Sequence, residues 1–241
     1  MDATEEPLAY TIGDQPFLGL TIYLDSRPLI PRPETEWWVN ELVCQLEGVS
    51  QRDGARHSKF SAENYACPKD GTPARRFLDL CAGSGAIGCA ALKMLPQAQV
   101  YFGEIDPAHE ATILKNIREN NLDESRAHVY IGDLFDPFPD DLRFDVIATN
   151  PPYIPVGRTL PSSVADYEPG LALFSGVDGL DLIRRIANSA RRRLTEKGVL
   201  WCECDSAYAE TARALFEAEG LNATIRTDQY GEPRVIIARP F

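Results

Sequence analysis

The sequence predicts an α/β fold: a mostly parallel sheet with helices on both faces and an antiparallel hairpin at or near one edge. Three observations carry this. From residue 75 onward, apolar runs of strand length alternate with helical patterns, the signature of parallel strands joined by helical crossovers. A glycine-rich turn, "CAGSGAIG", links the first of these strands to the first helix. The chain then closes on "ATIRTDQYGEPRVIIARP", which reads as a hairpin and so adds reversed strands.

Taken in order, "FLGLTIYLD" alternates like a short hairpin and "RPLIPRP" is stiff and extended. Glu34 to Leu46 reads as a helix with Trp38, Leu42 and Leu46 on one side. Residues 48–74 are polar and rich in Gly, Ser, Lys and Asp, and are expected to form a surface loop or insertion. "RFLDLCA" is a strand, "GSGAIGCAALKML" a turn and helix, and "AQVYFGEID" a strand. "PAHEATILKNIRENN" is a helix opened by Pro107. "HVYIGD" and "FDVIATN" are strands; a long loop follows, then the helix "LDLIRRIANSARRRL". "GVLWCECD" is a strand and "AYAETARALFEAEG" a helix ending at Gly220. The expected organisation is a lead-in of hairpin and helix over 1–47, the polar stretch 48–74, and a main domain over 75–241.

Composition narrows the class. Hydrophobic residues make up 44% and charged residues 25% of 241 residues, ordinary globular usage. No apolar run approaches the ~20 residues of a membrane helix. The start, "MDATEEPLAY", resembles neither a secretory signal nor a transit peptide. A net charge of −12 argues against a broad electrostatic grip on nucleic acid. Cys44, Cys67, Cys81, Cys89, Cys202 and Cys204 are scattered without a CxxC pair, as expected for reduced residues of an intracellular protein. No metal site is expected.

In such a sheet, ligands bind beyond the carboxyl ends of the strands. Gly83, Gly85 and Gly88 spell G-x-G-x-x-G, letting backbone approach a ligand at a helix N-terminus. Glu104 ends the next strand and suits the two hydroxyls of a ribose. Asp133, in "IGDLF", is placed to meet an adenine amino group, with Leu134 against the ring. Together these residues point to an adenosine-containing cofactor, either a dinucleotide or S-adenosylmethionine. Asp79, at the end of the first strand, favours a ligand with a cationic amino-acid portion over a pyrophosphate.

The stretch "VIATNPPYIP" ends a strand in a carboxamide, two prolines and a tyrosine. Proline cannot donate to a sheet ladder, so the strand stops there. Asn150 offers an acceptor oxygen, and the Pro151 carbonyl offers a second. Pro151 and Pro152 stiffen the turn, and Tyr153 can pack on a planar group. The pattern suits a planar amine or amide whose NH2 donates twice. An amide nitrogen is a poor nucleophile, and acceptors on both N–H bonds would enrich it as it attacks a sulfonium methyl.

"DLCAGSGAIG" followed by "NPPY" resembles the class I S-adenosylmethionine-dependent methyltransferases of planar nitrogens, which include adenine-N6 and glutamine methyltransferases. "GDQPFLGLTIYLDSRPLIPRPETEWWV" and "DYEPGLALFSGVDGLDLIRRI" are similar to the segments flanking that motif in the HemK/PrmC family. The similarity runs from about Tyr10 to the C-terminus, apart from the polar stretch. It implies a Rossmann-like, seven-stranded sheet and methylation of the glutamine amide in the Gly-Gly-Gln loop of a peptide chain release factor. By this resemblance Cys81, Ala82, Gly83, Ser84 and Gly85 cradle the methionine part of S-adenosylmethionine. Glu104 binds the ribose and Leu134 flanks the adenine. Asn150 touches cofactor and substrate, and Pro151, Pro152 and Tyr153 complete the glutamine slot. "IPRPET", with Pro31, Arg32, Pro33 and Thr35, closes over the site and holds the substrate loop.

The sequence also departs from the family pattern. The family's N-terminal helical recognition domain is expected to be largely absent, and the polar stretch is longer than the usual connection. "CECDSAY" stands where the family more often has Glu-Ile-Gly and a Gln, with Glu203 kept. Three rival readings accompany this one. An adenine-N6 methyltransferase would need a basic groove; the only basic cluster is Arg184, Arg185, Arg191, Arg192, Arg193 and Lys197. An NAD-dependent oxidoreductase would leave Asn150 to Tyr153 unexplained. A non-catalytic partner subunit would bind cofactor without turnover. The expected partner is the release factor, with no membrane and no direct nucleic-acid contact, and a monomer as default. The expected location is intracellular: mitochondrial in a eukaryote, cytoplasmic otherwise.

Overall fold

The computed structural model describes residues 6–47 and 75–241. The predicted polar loop over 48–74, and Cys67 within it, lie outside the described residues. β3 (Arg76–Leu80), β4 (Gln99–Glu104), β5 (Ala127–Ile131), β6 (Phe144–Thr149), β7 (Leu194–Glu203), β8 (Leu221–Thr227) and β9 (Pro233–Pro240) form one sheet in the order β5-β4-β3-β6-β7-β9-β8. β5, β4, β3, β6 and β7 run parallel, and β9 lies antiparallel between β7 and β8. The reversed strand is therefore next to the edge, as the terminal hairpin predicts. Strand order turns back between β3 and β6, which opens a crevice at their carboxyl ends.

Side chains alternate across the strands and divide the core in two. Leu78, Leu80, Ile147, Leu200 and Ile236 face one side, where α6 (Asp181–Arg193) and α7 (Ala209–Ala218) bring Ile183, Ile186, Ala212 and Phe216. Phe77, Val100, Phe102, Val146 and Trp201 face the other. There α2 (Pro33–Leu46) and α3 (Ala86–Met94) bring Trp38, Leu42, Cys89 and Leu92. Pro33 at the first position of α2 and Glu34 and Glu36 in its first turn suit a helix start.

The lead-in hairpin, β1 (Asp14–Phe17) and β2 (Leu20–Tyr23), joins this second cluster through Phe17, Leu20 and Ile22. α4 (Glu110–Glu119), reached through a 3-10 turn at Pro107–His109, covers the hairpin's edge. Asn116 and Asn120 stand one helical turn apart and meet alternate residues of β2. Asn116 accepts the Tyr23 N–H at 2.7 Å and donates to its carbonyl at 3.1 Å. Asn120 accepts the Thr21 N–H at 3.0 Å and donates to its carbonyl at 2.8 Å. Two amides thus stand in for a neighbouring strand, and the edge is not left open.

One short helix was not foreseen. α1 (Leu8–Ile12) makes a single turn between Pro7 and a left-handed Gly13, too short for hydrophobic periodicity to register. The loop after the Asn-Pro-Pro-Tyr motif likewise holds two short turns, at Ser162–Ala165 and Gly170–Ala172.

Candidate active site

A cavity of about 230 Å³ opens at the carboxyl ends of β3, β4 and β6. Among the residues singled out from sequence, Cys81, Gly83, Glu104, Asp133, Leu134, Asn150 and Pro152 line it. The turn after β3 is tightly wound. Cys81 takes φ 61°, Gly83 55° and Gly85 78°, and Leu134 across the cavity takes 47°. Cys81 and Leu134 hold a left-handed conformation without being glycine, a local strain that clusters at binding sites. Burial pushes the Cys81 thiol up to about 12, with Glu104 adding to the effect, so it stays a neutral thiol.

Glu104 is 6% exposed and organises this end of the sheet. Its Oε2 accepts the Gly83 N–H at 2.7 Å, and its Oε1 accepts the Asp106 N–H at 2.9 Å. Each oxygen keeps a lone pair for a further donor, which is what a ribose diol offers. Ile105, Leu134, Leu171 and Phe174 supply apolar walls for a flat ring.

The glycine turn is not a phosphate cradle. The Gly83 N–H is held by Glu104, the Gly85 N–H by the Ala82 carbonyl at 2.7 Å, and the Gly88 N–H by Asp79 Oδ2 at 2.8 Å. Glu104, Asp106 and Asp133 line the cavity, and Arg185 is already paired to Asp133 at 2.8 Å. An anionic lining with its turn amides engaged suits a cation and repels a pyrophosphate.

Asp79 is placed differently from the expectation. Its carboxylate is fully buried behind the turn and does not line the cavity. Oδ2 holds Gly88, and Oδ1 has no partner among the described residues. Burial pushes its pKa well above the aspartate range, partly opposed by the Gly88 hydrogen bond. In this arrangement it supports the turn and has no direct path to a ligand. Ala82, Ser84 and Gly85 are backbone supports as well: the Ser84 carbonyl accepts from Asn116 Nδ2 at 2.8 Å.

The Asn-Pro-Pro-Tyr turn meets the lead-in at one buried carboxylate. Glu203, 1% exposed at the end of β7, accepts from Thr35 Oγ1 at 2.6 Å and Trp38 Nε1 at 2.7 Å through Oε2. Through Oε1 it accepts from the Tyr153 hydroxyl at 2.9 Å. Asn150 Nδ2 donates to Thr35 Oγ1 at 3.1 Å. Burial raises the Glu203 pKa, and the three hydrogen bonds and Arg234 oppose the shift. Pro151 is buried and, like Tyr153 and Thr35, does not line the cavity. Arg32 Nη2 donates to Glu168 Oε1 at 2.5 Å, and Glu168 Oε2 accepts the Ile30 N–H at 3.3 Å. Pro31 and Pro33 frame this segment, which is thereby pinned to the loop after the motif.

Sequence reasoning missed Ile105, His109, Phe174, Leu29 and Arg185 on the cavity wall, and Glu203 behind it. Ile105 directly follows the strand-end acid and was findable from that position. Leu29, Phe174, Arg185 and Glu203 stand in stretches already noted for their family resemblance, where nothing marked them individually for the cavity; His109 stands in a segment with no local signal. His109, 6% exposed, is held by Ser26 Oγ at 2.8 Å from Nδ1. Part of the basic cluster is already engaged. Arg184 pairs with Asp178 and Asp181, Arg185 with Asp133, and Arg193 donates to the Pro139 and Phe135 carbonyls. Among the described residues no group of His, Cys, Asp or Glu is placed to hold a metal, and no helix is long and apolar enough to cross a membrane.

Comparison with known proteins gives the following. The methyltransferase small domain family matches residues 64–165. The chain is 35% identical over 240 residues to the release factor glutamine methyltransferase of Geobacter sulfurreducens, covering 98% of this chain and 74% of that one. It is 32% identical over 224 residues to the protein of the same name from Chlamydia trachomatis, covering 92% and 68%. Both are bacterial, and neither supports a mitochondrial placement. Among solved structures, the T. thermophilus 16S rRNA N2 methyltransferase with AdoMet and guanosine matches with a TM-score of 0.58 at 20% identity. It covers 95% of this chain and 50% of that one, and shows a shared fold.

Proposed function

The chain belongs to the release factor glutamine methyltransferase family, and on that premise we propose that it transfers a methyl group from S-adenosylmethionine to the side-chain amide nitrogen of the Gly-Gly-Gln glutamine of a peptide chain release factor. One observation carries the reading: Asn150 and Pro152 border the same cavity as Glu104 and Gly83. The acceptor turn and the diol-binding carboxylate therefore serve one site.

S-adenosylmethionine supplies, when bound, an electrophilic sulfonium methyl. Glu104 holds the ribose hydroxyls, Ile105 and Leu134 enclose the adenine, and the acidic lining tolerates the positive charge. Asn150 Oδ1 and the Pro151 carbonyl accept the two N–H bonds of the glutamine amide and aim its nitrogen. Their partial negative charges stabilise the positive charge that develops on that nitrogen. Tyr153, its hydroxyl held by Glu203, walls the slot. No strong base is required: the sulfonium would leave as a neutral thioether, and the methylated nitrogen, now strongly acidic, loses its proton to solvent water.

The net charge of −12, with Arg184 and Arg185 already paired to aspartates, weighs against a nucleic-acid substrate. The test is a methyl-transfer assay with S-adenosylmethionine and a purified release factor, mapped by peptide mass spectrometry. A methyl on the Gly-Gly-Gln glutamine with the wild type, absent with Asn150→Ala, is the expected result. Equal transfer by both proteins would remove Asn150 from the reaction. No transfer to the release factor by the wild type would overturn the substrate.

A further inference from the structure

We infer that Glu203, acting through Thr35, sets which end of the Asn150 amide faces the reaction. The inference rests on the proposed role of Asn150 as an acceptor. An asparagine amide presents either an oxygen or an NH2, and only the oxygen can receive a substrate N–H. A flipped Asn150 would turn two donors on a group that is itself a donor, and the slot would repel its substrate.

The polarity is dictated from the buried end of the chain of hydrogen bonds. An indole N–H can only donate, so the Glu203 oxygen that meets Trp38 accepts there, and an ionised carboxylate offers nothing but acceptors. That same Oε2 is 2.6 Å from Thr35 Oγ1, so the threonine hydroxyl must spend its single proton on it. Thr35 Oγ1 is left with lone pairs only and can only accept. Its partner 3.1 Å away on Asn150 must then be the NH2 end. Oδ1 is thereby turned to the open side, toward the cavity that Asn150 lines.

The assignment also survives a proton on Oε1, where the Tyr153 hydroxyl would reverse and accept it. With Oε2 unprotonated, the Thr35 and Asn150 bonds keep their direction in either state. Burial makes the arrangement stiff: Thr35 is 4% exposed and Glu203 1%. Glu203 and Thr35 are thus positioning residues. Neither lines the cavity, and they act by removing one of the two states of the amide, a different role for Thr35 from the substrate contact that the resemblance implies.

The test uses Thr35→Val, which keeps shape and removes the hydroxyl, with Thr35→Ser and Glu203→Gln as conservative partners. With S-adenosylmethionine and release factor, Thr35→Val is expected to lower kcat ~100-fold, the scale of a misplaced reacting group, with unchanged cofactor affinity and melting temperature. Thr35→Ser and Glu203→Gln are expected to retain activity within ~10-fold. Glutamine must offer Trp38 its oxygen, so Thr35 still donates and the polarity is kept. A Thr35→Val enzyme with wild-type kcat would overturn the inference.

A second readout needs no turnover. In wild type the Asn150 side-chain NH2 resonances, identified by their loss in Asn150→Ala, are expected to be downfield and protected from exchange. That protection should vanish in Thr35→Val and persist in Thr35→Ser. Equal protection in wild type and Thr35→Val would overturn the polarity. A wild type that fails to methylate the release factor but shows the expected resonances would sink the substrate assignment alone.

Discussion

Glu104 Oε2 accepts the backbone N–H of Gly83 at 2.7 Å, tying the end of β4 to the turn after β3. One carboxylate therefore shapes the glycine turn and faces the cavity. Glu104→Ala is expected to weaken S-adenosylmethionine binding by ~1.5–3 kcal/mol through the loss of charged hydrogen bonds. Glu104→Gln should not rescue it. Both oxygens meet backbone N–H groups, and a glutamine would press its NH2 against one of them. Calorimetry decides, and wild-type affinity in either variant would remove Glu104 from the ribose site.

Gly88 backs onto Phe102. A β carbon there would stand 2.2 Å from Phe102 Cε1 and 2.7 Å from Cζ. Both lie in the core, so the ring has no free space to enter. Gly88→Ala is expected to destabilise by ~1–3 kcal/mol in urea unfolding, and Phe102→Leu in the same chain to return part of that loss. A fully stable Gly88→Ala would mean the ring has room to turn.

Asp79 links stability to pH. Burial raises its folded pKa, so the native chain holds a proton that the unfolded chain releases above its ordinary value of about 3.9. Between those two values the native state binds more protons, and stability falls as pH rises. Asp79→Asn keeps an acceptor for the Gly88 N–H and cannot ionise. Its stability relative to wild type should therefore climb from pH 4 toward neutral and above. A difference independent of pH in chemical unfolding would show that Asp79 titrates at its ordinary value.

Arg32 and Glu168 pin the proline-rich segment to the loop after the Asn-Pro-Pro-Tyr turn. Glu168 is 1% exposed at its side chain and Arg32 31%. The half-open arginine keeps the pair below a fully buried one in strength. A double-mutant cycle of Arg32→Ala and Glu168→Ala is expected to give a coupling above ~1 kcal/mol, more than exposed pairs deliver. Coupling near zero would mean that other contacts hold the segment.

Much of the fold was legible because its signals are local. The helix from Pro33, the strands "RFLDL" and "FDVIAT", and the terminal hairpin each announce themselves by period, proline or turn chemistry within a few residues. α1 escaped because one turn shows no period. The docking of β2 on Asn116 and Asn120 escaped because asparagines within and at the end of a helix look like solvated positions until a strand edge is laid beside them.

The candidate site divides in the same way. By itself the sequence determined the class of fold, the strand-end acid Glu104, and a proline-stiffened strand exit at Asn150 to Tyr153. Those features follow from residue type and spacing along one strand and its exit. Only the tertiary structure decided that Asp79 faces inward, that Arg185 holds Asp133, and that residues of the long loop wall the cavity. It alone decided that Glu203, Thr35 and Asn150 are joined, across 168 and 115 positions of sequence. A residue's type says what hydrogen bonds it can make. Which one it makes, and in which direction, depends on partners that only folding brings within 3 Å.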